Sequence, residues 1–312
     1  MPHVSIITAL HNKGPYIAET IRSVLDQTLP DWEMIVVENG SIDNGPEIVR
    51  QFSDPRVRLV ASSKQGPGAA RNFGLSLATG EWVLFLDADD LIEADYLGGR
   101  FEALTQQPQA NLLVGCWEEF LDGQPAKKTR HQPVGMGGSA QDIANAAIAY
   151  APWILHAALI KRSLLQVKPE WPEHLDVLPH EDSAYWFPIV CEATPAWSEK
   201  GGALYRVNTA DSRNEIINVE KTIKGVTGVV AENVKFLNST GREPNSTQAD
   251  NLMRTFESAY RTALKRHDRK MAEQALDQAA FWLEKTVGKS TSLWLRRWLG
   301  LRWFNLIRFG TI

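Results

Sequence analysis

Short apolar runs alternate with helical patterns through the first ninety residues, and this alternation restricts the fold more than any other feature of the sequence. Apolar runs predict four buried strands, at 4–8, 34–37, 57–60 and 82–86. Helical periodicity fills the intervals, at 17–25, 46–52 and 69–78. Strands joined through helices form parallel sheets with right-handed crossovers, and such sheets bind ligands beyond the carboxyl ends of their strands. The polar residues that follow each strand are therefore the first candidates for a site.

The pattern is less regular further along the chain. Residues 112–116 predict a strand and 203–207 an edge strand, whereas 123–138, rich in Gly, Pro, Lys and Gln, predicts a loop or flexible arm. The Ala-rich stretch 139–150 predicts a helix, and 153–160 is compatible with strand or helix.

Long helical periodicity with few strand signals extends from 219 to 287. We therefore expect an α/β fold with a mostly parallel central sheet, followed by a helical C-terminal region. The predicted parts are a domain over 1–215, a helical region over 216–288 and a tail over 289–312.

Composition and charge exclude several classes of protein. With 44% hydrophobic and 22% charged residues, the chain is typical of globular proteins, and its net charge of −4 argues against nucleic acid as the main partner. No window approaches the ~18 apolar residues of a membrane span. Because Cys116 and Cys191 have no paired spacing and no leader pattern precedes them, we expect a cytoplasmic location.

Three carboxylates follow the fourth predicted strand directly: Asp87, Asp89 and Asp90. Like charges at one strand tip repel one another unless a cation is bound. Mg²⁺ and Mn²⁺ prefer oxygen ligands and often share them with substrate phosphates. The alternative is an acidic turn that caps the next helix. The cluster thus predicts either a divalent metal site or a cap.

A second polar cluster follows the second predicted strand, from Glu38 and Asn39 to Asp43. Its Gly40-Ser41 pair is typical of a turn with a helix cap. Because this cluster shares a sheet edge with Asp87, Glu38 and Asn39 are also candidates to accept a hydrogen bond from a ligand.

Glu181 and Asp182 form a third cluster, directly before an apolar helical run at 184–190. Asp182 is a candidate helix cap. It is also a candidate general base, a role that needs a carboxylate near the reacting hydroxyl.

Together these motifs resemble those of the inverting family-two glycosyltransferases of GT-A fold. Order and spacing match, densely over 4–97 and more thinly to about 212. The matching segments are Val4-Ser5-Ile6-Ile7 with His11-Asn12, Ser23-Val24-Leu25-Asp26-Gln27-Thr28, Ile35-Val36-Val37-Glu38-Asn39-Gly40-Ser41 with Asp43, Gly68-Ala69-Ala70-Arg71-Asn72, residues 85–90, and Glu181-Asp182.

The resemblance implies a GT-A nucleotide-sugar-binding domain with a nucleotide-binding half over 1–97 and an acceptor half over 98–215. Asp87 and Asp89 would hold Mn²⁺ or Mg²⁺ on the sugar diphosphate and neutralise it as it departs. Asp182, accompanied by Glu181, would deprotonate the acceptor hydroxyl. The residues implied in nucleotide binding are Thr8, His11, Glu38, Asn39, Arg71 and Asp87.

The chain departs from this family at three places. His11 stands where many relatives have Tyr, and Glu38-Asn39 stands where they have two aspartates, the second of which accepts a hydrogen bond from uracil. Since Asn39 can accept through its carbonyl and also donate, UDP is the expected carrier, with dTDP and GDP as alternatives. Tyr205-Arg206-Val207-Asn208 lacks the His that follows Tyr-Arg in many relatives.

The resemblance predicts transfer of a sugar, with inversion, to a hydroxyl of a growing glycan or glycolipid. One alternative is an inactive relative that binds glycans or acts as a scaffold; the joint presence of Asp87, Asp89 and Asp182 speaks against it. Another is a sugar-phosphate nucleotidyltransferase, which has a similar sheet. That class carries a Gly-rich basic loop after its first strand, whereas residues 10–14 contain one Gly and no Arg.

The tail differs in charge from the rest of the chain. Residues 289–312 contain no acid and five cations, Lys289, Arg296, Arg297, Arg302 and Arg308. Helical spacing predicts one apolar face made by Trp294, Leu295, Trp298 and Leu299. Interfacial helices carry such mixtures of Arg and Trp, which predicts peripheral binding to the anionic inner face of the cell membrane. The alternative is docking on the chain's own helical region or on a second copy in a homo-oligomer.

Overall fold

The computed structural model describes residues 3–209, 219–288 and 290–309, apart from the side chain of Trp298. The predicted boundary at 215, Lys289 of the tail and residues 310–312 lie outside this range. The chain forms two compact units. The first unit comprises Met1–Ile143, Pro152–Val177 and Pro188–Ser212, and the second comprises Ala144–Ala151, Leu178–Phe187 and Arg213–Ile312.

The predicted alternation of strands and helices is confirmed in the first unit. Its elements are β1 (Val4–Leu10), α1 (Gly14–Leu25), β2 (Trp32–Glu38), α2 (Gly45–Arg50), β3 (Val57–Ala61), α3 (Pro67–Leu77) and β4 (Trp82–Phe85). Each of the three helices has Pro in its first turn, where the missing N–H costs no helical hydrogen bond. The four strands pair in parallel in the order β3-β2-β1-β4, so their carboxyl ends meet at one edge.

The remaining elements of this unit extend the sheet and make it mixed. They are β5 (Leu91–Ile92), α4 (Tyr96–Gln106), β6 (Leu112–Leu121), β7 (Gln124–His131), α5 (Ala140–Ala147, which continues into the second unit), β8 (Ala158–Lys161) and β9 (Pro195–Val207). The full strand order is β3-β2-β1-β4-β8-β6-β9-β5, with β7 paired to β6. Pairing is parallel between β6 and β9 and antiparallel at β4–β8, β6–β8, β5–β9 and β6–β7.

Two predictions for this part of the chain are wrong. The predicted loop at 123–138 contains β7, a strand that pairs with β6 although nearly all of its side chains are exposed. The predicted edge strand at 203–207 is the end of β9, which lies inside the sheet between β6 and β5. Both strands depend on backbone pairing with β6, and local hydrophobic periodicity does not report such pairing.

The second unit is helical, as the periodicity predicts. It contains the first half of α6 (Ser183–Glu192), whose second half belongs to the first unit. Its other helices are α7 (Val219–Ser239), α8 (Ser246–Lys265), α9 (Arg269–Lys285), α10 (Thr291–Leu299) and α11 (Leu301–Phe309). Asn245 and Gln248 form a capping box at the start of α8, and Asp268 caps α9 through Met271 N. No helix in the described ranges is both long and apolar enough to cross a bilayer.

A buried ion pair fixes the tail helices on α8. Arg296 of α10 donates from Nε and Nη2 to the two carboxylate oxygens of Glu257, at 2.9 and 2.8 Å, and both side chains are almost fully buried. Asn305 of α11 donates to the same carboxylate. The tail helices thus contact the chain's own helical region, which is one of the two expected alternatives. They do so through Leu293 and Arg296, whereas Trp294, on the predicted apolar face, is 56% exposed.

Candidate functional site

Asp43 joins the starts of α1 and α2 at the carboxyl edge of the sheet. Its Oδ2 accepts a hydrogen bond from the backbone N–H of Gly14 at 2.7 Å, and its Oδ1 accepts one from Gly45 at 3.0 Å. A Cβ at Gly14 would lie 2.5 Å from Asn44 Oδ1, so this close approach requires glycine. Helix N-termini attract anions, and here a carboxylate of the chain already takes that position at two helices.

Asp176 takes the same position at α3. Its Oδ1 accepts from the N–H of Gly68 at 2.9 Å and its Oδ2 from that of Ala69 at 3.2 Å. The N-termini of α1, α2 and α3, which begin at this edge, are thus all bonded to a carboxylate of the protein itself. An anionic ligand at this edge must therefore be held by cationic groups rather than by helix ends.

The turns after β2 and β3 are held together by Asn39, which is 4% exposed. Its Oδ1 accepts from the N–H of Gly66 at 2.8 Å, and its Nδ2 donates to the carbonyl of Lys64 at 2.7 Å. Glu38 closes the first of these turns by accepting from Ser41 N at 2.6 Å. Both side chains thus have structural partners, and their ligand-binding roles stay predictions.

His11 and Thr8 differ sharply in access to this edge. His11 is exposed; its Nδ1 donates to the carbonyl of Asn39 at 2.9 Å, which leaves Nε2 as an acceptor. Thr8 is fully buried in β1 opposite Val36, so its side chain is closed off from the edge.

Asp87 and Asp89 follow β4 at the centre of the edge, and each has a cationic partner. Arg71 Nη2 donates to Asp87 Oδ1 at 3.0 Å, and Lys13 Nζ lies 2.7 Å from Asp89 Oδ2. Two cations of the chain therefore already lie against the strand-tip carboxylates, whose mutual repulsion pointed to a bound cation. Parallel pairing of β1 with β4 brings Lys13, which follows β1, beside Asp89.

Asp90 is directed away from this pair and into the protein. It is 1% exposed; its Oδ1 accepts from Arg206 N at 2.8 Å, and its Oδ2 lies 3.4 Å from Nδ1 of the buried His156. Arg206 Nε also donates to the carbonyl of Asp89 at 2.8 Å. Asp90 thus fastens the strand-tip turn to β9 and does not share the exposed edge with Asp87.

Arg206 is itself held on several sides. Its Nη1 donates to Asp122 at 3.0 Å and its Nη2 to Glu19 at 2.6 Å, while its guanidinium lies over the ring of Phe120 at 4.8 Å. This arginine of the Tyr205-Arg206 pair therefore supports the turn that carries Asp89.

Burial shifts the pKa values of three groups in and beside this turn. Burial raises the pKa of Asp90 well above its usual value, and repulsion from Asp89 and Asp87 adds to the rise. Burial also raises the pKa of Asp89, although Lys13 opposes the shift and Asp87 adds to it. Burial lowers the pKa of His156 to about 4, so this ring is neutral at pH 7. Burial is the largest cause of each of these shifts, ahead of the charges nearby.

Asp87 and Asp89 suit a divalent cation. Both present carboxylate oxygens, with side chains 35% and 18% exposed. Mg²⁺ and Mn²⁺ use one or two carboxylates and complete their coordination with water and substrate phosphates. Within the described ranges, no three or more His, Cys, Asp and Glu side chains are grouped to hold a metal ion, so the remaining ligands would come from the substrate. Lys13 would have to share Asp89 with the ion.

Glu181 and Asp182 belong to the second unit, at the start of α6. The carbonyl of Asp182 accepts from Trp186 N at 2.9 Å, which places Asp182 directly before the first turn, where the helix dipole favours a carboxylate. Glu181 is buried and Asp182 half-buried. His180 precedes them with a left-handed φ of 67°, and its ring lies edge-on against Tyr150 at 5.0 Å.

Sequence reasoning missed three residues of this site: Lys13, Asp176 and Trp171. Lys13 carried a usable signal, because it follows β1 at the edge where ligands bind. Asp176 and Trp171 carried none, since they lie in irregular structure and reach α3 only through the fold.

Comparison with known proteins gives a consistent result. The family described as "Glycosyl transferase family 2" matches residues 5–166. The chain is 38% identical over 135 residues to the putative teichuronic acid biosynthesis glycosyltransferase TuaG of Bacillus subtilis, covering 42% of this chain and 54% of that protein. It is 40% identical over 103 residues to the succinoglycan biosynthesis protein ExoO of Rhizobium meliloti, covering 33% of this chain and 30% of that protein. The chain thus spans about half or less of the length of these relatives.

Solved structures share the fold at low identity. Staphylococcus aureus TarS 1–349 in complex with UDP-GlcNAc matches with a TM-score of 0.73 at 18% identity, over 100% of this chain and 93% of that one. The mannosyltransferase PcManGT of Pyrobaculum calidifontis, in complex with GDP-Man and Mn²⁺, matches with a TM-score of 0.50 at 20% identity, over 90% of this chain and 86% of that one. These likenesses support the GT-A type of α/β fold.

Proposed function

The chain belongs to glycosyl transferase family 2, and on that basis we propose that it is an inverting enzyme that transfers a sugar from a nucleotide donor to a hydroxyl of a growing glycan or glycolipid. The observation that carries the proposal is the pairing of Asp87 and Asp89 with Arg71 and Lys13 at the carboxyl edge of the sheet. Alternating carboxylates and cations suit a ligand that combines a diphosphate with a divalent metal.

The donor's diphosphate would be bound by charged side chains and metal. Asp43 and Asp176 hold the helix N-termini of this edge, so phosphate has no free helix end there. Asp87 and Asp89 would hold Mn²⁺ or Mg²⁺, which when bound neutralises charge on the departing diphosphate. Lys13 would then move from Asp89 towards the phosphate oxygens.

The acceptor side of the reaction needs a base, for which we propose Asp182, accompanied by Glu181. Asp182 takes the proton of the acceptor hydroxyl as the hydroxyl oxygen forms its bond to the anomeric carbon. The bond from that carbon to the diphosphate oxygen breaks on the opposite face, and the nucleoside diphosphate leaves with its electron pair. One displacement of this kind inverts the anomeric carbon.

A ligand screen followed by product analysis tests this function. UDP, dTDP and GDP, and their sugars, are added with and without Mn²⁺, and a ligand that binds only the folded chain raises its melting temperature. We expect the largest rise with UDP or UDP-sugars, and only with metal. NMR of the product of donor hydrolysis or transfer should show an inverted anomeric centre. Retention would contradict the proposed mechanism, and absence of any shift or turnover would favour the inactive relative.

A nucleotidyltransferase role fits the edge less well. That chemistry needs a loop whose backbone N–H groups cradle a triphosphate, whereas the N–H of Gly14 after β1 is already bonded to Asp43. Formation of a nucleotide sugar from a nucleoside triphosphate and a sugar phosphate in the same screen would reverse this preference.

We also propose that the chain binds peripherally to the inner face of the cell membrane through α10 and α11. Their outward side carries exposed apolar residues, Trp294, Trp303, Ile307 and Phe309, beside the exposed cations Arg297, Arg302 and Arg308. Arg302 pairs with Glu273 at the surface, whereas Arg297 donates to neutral oxygens of Thr286 and Gly288. Aromatic and cationic side chains together suit an anionic lipid surface, where each cation contributes about 1 kcal/mol.

Vesicle co-sedimentation should therefore separate two matched variants. Trp294→Ser with Trp303→Ser removes exposed rings of the tail helices, while Phe281→Ser removes a comparably exposed ring of α9. We expect wild type and Phe281→Ser to sediment with phosphatidylglycerol-containing vesicles in low salt, and the double variant to remain mostly in solution.

Point variants are preferable to truncation in this test. Removing α10 would leave Glu257 buried without Arg296, a loss that typically costs about 3–5 kcal/mol. Equal sedimentation of the double variant and the wild type would contradict membrane binding by this surface, and a change of oligomeric state in the double variant would point to a second copy instead.

A further inference from the structure

The segment 171–176, which we call the strap, crosses the start of α3 in the first unit. Lys64 Nζ lies 3.1 Å from the carboxylate of Glu173, and Asn72 Nδ2 donates to Glu173 Oε1 at 3.1 Å. The strap thus binds both the turn before α3 and its second turn. Sequence patterns assigned no role to this segment.

Asp176 occupies a position that the sequence of α3 leaves open for it. Its carboxylate accepts hydrogen bonds from the N–H groups of Gly68 and Ala69. It also occupies the space that a side chain at position 66 or 68 would need. A Cβ at Gly66 or Gly68 would lie 2.2 or 2.4 Å from its oxygens. Gly66 also has a φ of 122°, which disfavours any other residue. The turn before α3 is therefore fitted to this carboxylate.

Trp171 joins the strap to the arginine that binds Asp87. The guanidinium of Arg71 lies over its indole ring at 4.5 Å, and the ring of Phe85 meets it edge-on at 5.1 Å. Asn72 fixes its backbone, with Oδ1 accepting from Trp171 N at 2.7 Å and Nδ2 donating to its carbonyl at 3.1 Å. Arg71 is 4% exposed, so its direction is set by the ring on one side and by Asp87 on the other.

We propose that Asp176 and Trp171 are positioning residues for donor binding: through the first turns of α3 they hold Arg71 against Asp87, and so fix one of the two proposed metal ligands. This inference rests on the proposed function. A positioning role differs from a purely structural one in its effect: when the contacts of the strap with α3 are lost, the protein still folds but binds its donor more weakly.

Steady-state kinetics separates the two roles. Asp176→Ala should raise the donor KM about tenfold and change kcat less than about twofold, since a misplaced Arg71 weakens binding whereas partial unfolding only lowers the active fraction. Asp268→Ala, which removes a comparable helix cap from α9, should leave the donor KM unchanged. Trp171→Leu should behave like Asp176→Ala, and Trp171→Phe should restore most of the affinity because it keeps a ring under the guanidinium.

Coupling to Arg71 gives a second readout. If Asp176 acts through Arg71, the donor KM of Arg71→Lys should rise little further when Asp176→Ala is added. Full additivity of the two effects, or a fall in kcat with KM unchanged in Asp176→Ala, would overturn the proposal.

Amide hydrogen exchange tests whether the strap stabilises the start of α3, and this measurement does not require enzyme turnover. Asp176→Ala should speed exchange of the amides over 68–72 about tenfold or more, and Asp268→Ala should not. Unchanged exchange there would overturn the positioning role by itself. A wild type that neither binds nucleotides nor turns over donor would instead contradict the proposed function, and the exchange result would still decide whether Asp176 holds α3.

Discussion

Replacing Asp182 by Asn should lower turnover by about 100-fold or more while donor affinity stays near that of the wild type. Asn keeps the size of the side chain and its ability to cap α6, but it cannot take the proton of the acceptor hydroxyl. The measurements are kcat at saturating donor and acceptor, and donor affinity by calorimetry with Mn²⁺.

Two comparisons sharpen this prediction. Asp182→Ala removes the capping ability as well, so any difference in melting temperature between Ala and Asn reports the cap and not the base. Glu181→Gln changes the buried neighbour of Asp182 and should reduce kcat less. Transfer by Asp182→Asn at close to the wild-type rate would move the base to Glu181 or to another group.

Asp89→Ala should abolish the Mn²⁺-dependent part of donor binding, a loss of about 100-fold or more in affinity, because a metal on the diphosphate contributes several kcal/mol. The ion pair with Lys13 adds a second expectation. Without Asp89, Lys13 is released at the edge, so residual binding of the nucleoside diphosphate should be independent of metal and sensitive to salt.

The matched control for this variant is Asp54→Ala. Asp54 also pairs with a cation, Arg56, but it lies before β3, at the opposite edge of the sheet. Calorimetry of both variants with and without Mn²⁺ is decisive. Unchanged Mn²⁺-dependent affinity in Asp89→Ala would contradict the assignment of Asp89 as a metal ligand and leave it as the partner of Lys13.

The sequence predicted the elements from β1 to β4 because each is built from local signals. The apolar run of β1 and the buried spacing of Ile17, Ile21 and Val24 in α1 need no knowledge of distant partners. The strand β7 had no such signal: its residues 124–131 are polar and include Pro, and it forms only because β6 offers a partner. Its existence is a property of the sheet rather than of its own sequence.

The same distinction explains the candidate site. Asp87 and Asp89 were found because they follow an apolar strand, and the parallel sheet brings them to the expected edge. The sequence did not indicate which cation pairs with each carboxylate, because Lys13 and Arg71 belong to other segments of the chain. Nor could spacing show that Asp90 turns inward, because that depends on burial against His156.

The anchoring of the Asp89-Asp90 turn by Arg206 has a consequence for the order in which the enzyme becomes competent. The hydrogen bond from Arg206 N to Asp90 spans 116 residues of chain. Contacts of such separation form late, since the loop they close must lose its entropy first. On the ribosome, β1 to β4 can therefore assemble from local pairings while the turn that carries Asp89 still lacks its support. If these carboxylates bind the donor as proposed, the site is complete only after β9 has emerged and paired, when most of β1 to β4 can already have formed.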